Sequence, residues 1–140
     1  MKSQEHIVAV VESPRDGETT LDIAQEVVKR GGRATVVVLV TARMEKHIRN
    51  FAESENLTFP DAREIYVARL SEMYSSRVGG QDTFAIVAEG DYSGRSVFKR
   101  IAKADPSTIA VSQSLAHRRG WRGSVARSHV PVLIAPAAVA

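Results

Sequence analysis

The sequence predicts an α/β fold, an open five-stranded parallel sheet with helices on both faces. Two observations carry this. Residues 7–11 (IVAVV), 34–40 (ATVVVLV), 83–88 (TFAIVA), 108–111 (TIAV) and 130–135 (VPVLIA) are short, apolar and mostly rich in β-branched side chains, as strands buried on both faces are. These runs alternate with segments whose apolar residues recur at helical spacing, which is the pattern of a doubly wound parallel sheet.

Taken in order, residues 12–18 (ESPRDGE) are turn-rich and lead into a helix that Asp16 or Thr19 is placed to cap. Leu21, Ala24, Val27 and Val28 share one face of it, and Gly31-Gly32 ends it. Residues 42–56 are charged, with Met44, Ile48, Phe51 and Ala52 as the few apolar positions, and are expected as a short exposed helix. Pro60 suits a first helical turn, after which Ala62, Tyr66, Leu70, Met73 and Tyr74 form an apolar stripe up to Gly79-Gly80. The loop 89–93 leads, with Ser93 as a cap, to a helix with Val97, Phe98, Ile101 and Ala102 facing inward, closed by Asp105-Pro106. The tail 136–140 is expected to fray.

Length and composition set bounds. A chain of 140 residues, 44% of them hydrophobic, is expected to form a single domain, 1–140, with a real core. No apolar run approaches the ~18 residues of a membrane span, and the first apolar run is too short for a signal-peptide core, so no membrane insertion is expected. The chain has no cysteine, which excludes disulfides and thiolate chemistry and is compatible with a reducing, cytoplasmic compartment. A net charge of +3 is mild and does not favour nucleic acid as a partner. His6, His47, His117 and His129 have no metal-ligand spacing and are expected as scattered surface residues, so no metal site is assigned. No nucleophile elbow is present; residues 90–96 (GDYSGRS) imitate a phosphate loop but are one residue short, with Arg95 where a lysine belongs. No catalytic residue is assigned, and the chain is not expected to be an enzyme beyond slow, incidental hydrolysis.

The stretch 107–135 organises the functional reading. A strand breaks into a polar, basic loop, 112–122, and closes on Gly123-Ser124 at the start of a short helix. Strand, glycine-containing loop and helix N-terminus in that order can hold an anion. Arg118, Arg119 and Arg122 are candidate phosphate contacts, since guanidinium groups pair bidentately with phosphate oxygens. A solvated basic loop is the plainer account of the same residues. HRRGWRGS, with Trp121, also has the basic-plus-aromatic look of a nucleic-acid contact. Trp121 is alternatively placed to pack on a dimer partner or to cover a crevice.

The chain resembles the universal stress protein (UspA-like) family over nearly its whole length. The resemblance rests on IVAVVES with the amphipathic helix after it, on EGDYSGRSVFKRIAKADPSTIAVSQS, and on the ending GSVARSHVPVLIA. It implies an adenine-nucleotide α-hydrolase-like sheet in the order 3-2-1-4-5, with strand order reversing between the first and fourth strands, where ligands bind in open α/β sheets. It further implies ATP or another adenine nucleotide, with Mg, in that crevice. The candidate nucleotide-binding residues are Glu12, Val40, Ser112, Gly120, Gly123, Ser124 and Val125. Glu12 stands where the family has an aspartate, and Val40 where its backbone meets adenine. The chain departs from the family's glycine pattern: Ser112 and Leu115 occupy the first two glycine positions, and seven residues rather than nine separate Leu115 from Gly123. The Leu115 side chain is expected to crowd a pyrophosphate, and Gly120 offers only a partial substitute, out of register.

Two functions follow. One is a cytoplasmic homodimer in stress response that binds an adenine nucleotide. The other is a non-nucleotide interaction module of the same fold, whose partner is another protein, for example a membrane transporter that it regulates. Homodimerisation is expected through Val130, Val132 and Ile134, an uncharged edge strand whose unpaired backbone groups a second copy would satisfy, within the limit set by Pro131.

Overall fold

The computed structural model describes residues 5–12, 17–40, 42–79, 84–88 and 94–136, with the backbone alone for 84–88. Asp16 and Ser93 as caps, and most of the loops 12–18 and 89–93, lie outside the described residues, as do Gly80, Thr83 and the tail beyond Pro136.

The centre of the sheet is β1 (His6–Val11), buried along its whole length between β2 (Arg33–Leu39) and β4 (Thr108–Ser112). Both pairings are parallel, His6 to Val11 against Arg33 to Val38, and Ile7 to Val10 against Thr108 to Val111. Beyond β4 lies β5 (Val132–Ala135), with Ile109 opposite Val132. These four strands run β2-β1-β4-β5, and the backbone of β3 (Phe84–Ala88) adds to the outer side of β2, giving β3-β2-β1-β4-β5. Ser107 fixes the start of the β1–β4 pair: its amide donates to the His6 carbonyl (2.8 Å), and its hydroxyl accepts from the His6 amide (2.9 Å).

The helices divide between the two faces, following the strands' two-residue period. Ile7, Ala9, Val11, Ala34, Val36 and Val38 face α1 (Glu18–Lys29), α2 (Ala42–Ser54) and α3 (Phe59–Val78). Val8, Val10, Val37, Leu39, Ile109 and Val111 face α4 (Gly94–Ala102), the single turn α5 (Gln113–Ala116) and α6 (Arg122–Ala126).

Several expectations are corrected. The charged helix α2 is exposed on one face only. Met44, Ile48 and Ala52 recur every four residues and are buried, and Arg49 and Arg69 lie over the rings of Phe59 and Phe51, tying α2 to α3. In α3 the buried line runs through Ala62, Tyr74 and Val78, with Tyr66 and Leu70 half-buried between them; Met73, off that four-residue line, is 45% exposed. In α4, Ala102 is exposed and Phe98 half-buried. Thr19 sits inside α1 rather than at its cap, which is Gly17, and its hydroxyl donates to the Pro136 carbonyl. β5 begins two residues later than expected, at Val132. The Ser128 hydroxyl bonds both the amide and the carbonyl of Val130, holding it in a turn, and Pro131 has no N–H to continue a ladder. The loop 112–122 contains α5, because the Ser112 hydroxyl accepts from the Leu115 amide (3.2 Å) and starts a turn there.

Ile48 and Lys46 separate the buried from the exposed face of α2. Ile48→Ala is expected to cost ~2–5 kcal/mol in urea unfolding, and Lys46→Ala less than ~0.5 kcal/mol. Equal, small effects would show that α2 lies loosely on the surface.

Candidate crevice at the reversal of strand order

Strand order reverses between β1 and β4, and the carboxyl ends of strands at such a reversal are where open α/β sheets form a binding crevice. β1 delivers Glu12 there directly after Val11, and β4 delivers Ser112 and the turn that carries Arg118. These two loops meet. Arg118 Nη2 donates to Glu12 Oε1 at 2.8 Å, and Nη1 stands 2.6 Å from Oε2. Oε2 is thus ion-paired with the guanidinium, while buried and without a hydrogen-bond partner among the described residues. The Glu12 side chain is 18% exposed and that of Arg118 43%. Water reaches the pair from the Arg118 side and screens it, so a ligand that competes for the guanidinium can displace it.

Val40 directly follows β2 and is buried at the same end of the sheet. Gly120 has φ +90°, a conformation that favours glycine, and its carbonyl accepts from the Gly94 amide at 3.1 Å. A Cβ on Gly94 would lie 2.6 Å from that carbonyl oxygen, so the glycine of the phosphate-loop imitation serves the packing of α4 against the 118–121 turn.

Other candidates are placed differently from expectation. Ser112 presents its hydroxyl to its own turn and to Ser114 (3.3 Å). Leu115 does not crowd the crevice; it is fully buried in the core of the second face, because the α5 turn rotates it inward. Gly123 and Ser124 are the second and third residues of α6, at the start of a short helix as expected. The cap position is Trp121, and α6 is only five residues long. A Cβ on Gly123 would meet the Arg127 guanidinium, Ser124 lines a groove beside α4, and Val125 packs on the second-face core. Arg119 and Arg122 are exposed. Trp121 is 2% exposed, edge-on to Phe98 with ring centroids 6.2 Å apart, so it offers no face to a base or to a partner.

The edge expected to pair with a second copy is also redistributed. Val130 and Val132 lean on the second-face core, while Leu133 and Ile134 are each 47% exposed, so Leu133 joins Ile134 as an exposed apolar residue of the edge strand.

No protein-family model matches the chain, and no curated protein is similar to it in sequence. Solved structures are similar in fold. A universal stress protein from Archaeoglobus fulgidus in complex with dAMP superposes at a TM-score of 0.60 with 14% identity, over 96% of this chain and 99% of that one. The fold is that of the universal stress proteins. A universal stress protein in complex with cAMP gives a TM-score of 0.60 at 13% identity, over 98% and 100% of the two chains. A protein of that family from Burkholderia pseudomallei gives 0.56 at 19%, over 95% and 96%. Among the described residues no helix is long and apolar enough to cross a membrane, and no three His, Asp or Glu side chains cluster as metal ligands would.

His6 corrects the expectation of surface histidines. It lies at the opposite, amino end of β1, is 7% exposed, and its Nε2 is 2.8 Å from the Thr35 hydroxyl on β2. Burial pushes its pKa below the ordinary 6.5, and the charge of Arg33 pushes the same way, while its hydrogen bond to the Ala104 backbone and the charge of Asp105 act in opposition. The unfolded chain therefore binds a proton near pH 6.5 that the folded chain refuses. Stability is expected to be full above pH 6.5 and to fall as pH drops through that value toward the lower folded-state pKa. His6→Gln should flatten this part of the urea-midpoint profile; an unchanged slope would place the acid sensitivity elsewhere.

Proposed function

We propose that this chain is a universal-stress-protein-like regulatory protein that binds an adenine nucleotide in the β1/β4 crevice. The observation that carries the reading is the pairing of Glu12 with Arg118 between the ends of β1 and β4, with Glu12 Oε2 ion-paired but, among the described residues, without a hydrogen-bond donor. A ribose hydroxyl would supply that donor, and a phosphate would replace the carboxylate in the Arg118 fork. The universal stress proteins solved with dAMP and cAMP, which have this fold, lend support.

The residues present fit a single phosphate better than three. Ser112 and Leu115 replace the glycines whose amides would approach a pyrophosphate, and α5 takes up that stretch of chain. We therefore place AMP or a cyclic monophosphate ahead of ATP with Mg. Because the Glu12 carboxylate is engaged by Arg118, it is suited to holding a ligand rather than to accepting a proton, and the protein acts by binding, not turnover. A role in stress response and a cytoplasmic setting belong to the same proposal.

The test is a thermal-shift and calorimetric titration with AMP, cAMP and ATP, with and without Mg, followed by recovery of the ligand. Ligand at about 100 times its Kd should stabilise the fold by roughly 2.7 kcal/mol, and Arg118→Ala should weaken binding about tenfold, or ~1.4 kcal/mol. AMP and cAMP are expected to bind more tightly than ATP and to be recovered unchanged. Absence of any shift at millimolar nucleotide would reject nucleotide binding. It would favour the second reading, an interaction module whose crevice the Glu12–Arg118 pair keeps closed.

Homodimerisation is part of the proposal and is supported by exposed Leu133 and Ile134 on the edge strand β5. Light scattering at micromolar concentration should report a dimer, and the double substitution Leu133→Glu with Ile134→Glu a monomer. A wild-type monomer would remove this element.

A further inference from the structure

The modest net charge of the chain conceals a strong asymmetry. From residue 94 to 136 there are eight Lys and Arg against a single acid, Asp105, so the remainder of the sequence is net acidic. The basic part forms the second face of the sheet. There, a groove of about 620 Å³ runs between α4 and the segment from α6 to β5. Its floor is apolar, made by Phe98, Pro106, Ile109 and Val130. Its rim carries Arg95 and Lys99 on α4, one turn apart, and faces them with Arg127 and His129. Among the described residues the rim has no acid, and no ion pair engages Arg95, Lys99 or Arg127.

We propose that this groove docks an acidic, amphipathic segment of a partner protein, with apolar side chains of the partner on the Phe98–Ile109–Val130 floor and its carboxylates on Arg95, Lys99 and Arg127. Charge complementarity decides the sign of the occupant. Cations that no described acid pairs with, set around an apolar floor, are poor for the free protein and favourable once carboxylates approach. The floor decides between a peptide and a nucleic acid. Single-stranded nucleic acid needs exposed rings on which bases stack, and the one tryptophan on this face is buried while Phe98 is half-covered by it. Apolar contact with flanking charge suits Leu or Phe set among Asp and Glu. The groove is a different surface from the β1/β4 crevice, and the inference does not depend on nucleotide binding.

The experiment uses fluorescence anisotropy with the full chain and three labelled probes: a peptide of glutamates interspersed with Leu and Phe, an all-glutamate peptide of equal length, and a single-stranded oligonucleotide of similar charge. The mixed peptide should bind most tightly, and its affinity should fall as salt rises and exposed charges are screened. Lys99→Glu with Arg127→Glu should weaken it at least tenfold. Arg118→Ala, at the crevice, should leave it unchanged, and the peptide should shift amide resonances of α4 and α6 in an NMR titration. The proposal is overturned if the mixed peptide fails to bind at millimolar concentration, or if the oligonucleotide binds more tightly. It is likewise overturned if the charge reversals leave the peptide affinity intact, or if they dissociate a dimer of the chain, which would make a second copy the occupant.

Discussion

Everything functional in this molecule depends on the parallel pairing of β1 with β4. These strands are separated by about a hundred residues, yet they lie side by side, and Ser107 locks their starts through three hydrogen bonds with the His6 backbone. Because β2 and β3 lie on one side of β1 and β4 and β5 on the other, the chain leaving β1 turns one way and the chain leaving β4 the other. The crevice is the consequence. Glu12 and Arg118 face each other there only because two strands end at the same level.

The proposed nucleotide site departs from a glycine-rich one in its chemistry. A glycine-rich turn offers backbone amides and little else, so it wraps phosphates closely. Here the corresponding turn is spent on itself: the Ser112 hydroxyl caps α5, and Leu115 drops into the core. In the proposed site, recognition falls to side chains, one carboxylate and one guanidinium, already matched to each other. Such a pair holds the loops together weakly and yields readily to a ligand with better-matched groups.

The two faces of the sheet carry different electrostatics as well as different helices. The face made by α1, α2 and α3 is continuous and packed, with arginines laid over aromatic rings between α2 and α3. The other face holds a short α4 and two helices of four and five residues, so its packing is less continuous and a groove remains between α4 and α6. Burying Trp121 against Phe98 and Gly94 gives this face its anchor and leaves the arginines around it on the outside.

The sequence by itself determined the class of fold. Strands buried on both faces leave uninterrupted β-branched runs, and helices leave periodic stripes, so both are local signals that need no knowledge of the partner. It also showed that the glycines at positions 112 and 115 were missing, and it pointed to Glu12 and Arg118 separately. Only the tertiary structure decided that those two meet, since a contact across a hundred residues has no local signature. It alone decided that Trp121 and His6 are interior, because a single aromatic or imidazole in a polar context is buried only if a distant side chain, Phe98 or Thr35, is waiting for it. The same holds for the groove. Cations spaced along α4 look like an ordinary solvated face until the fold brings Arg127 and an apolar floor beside them.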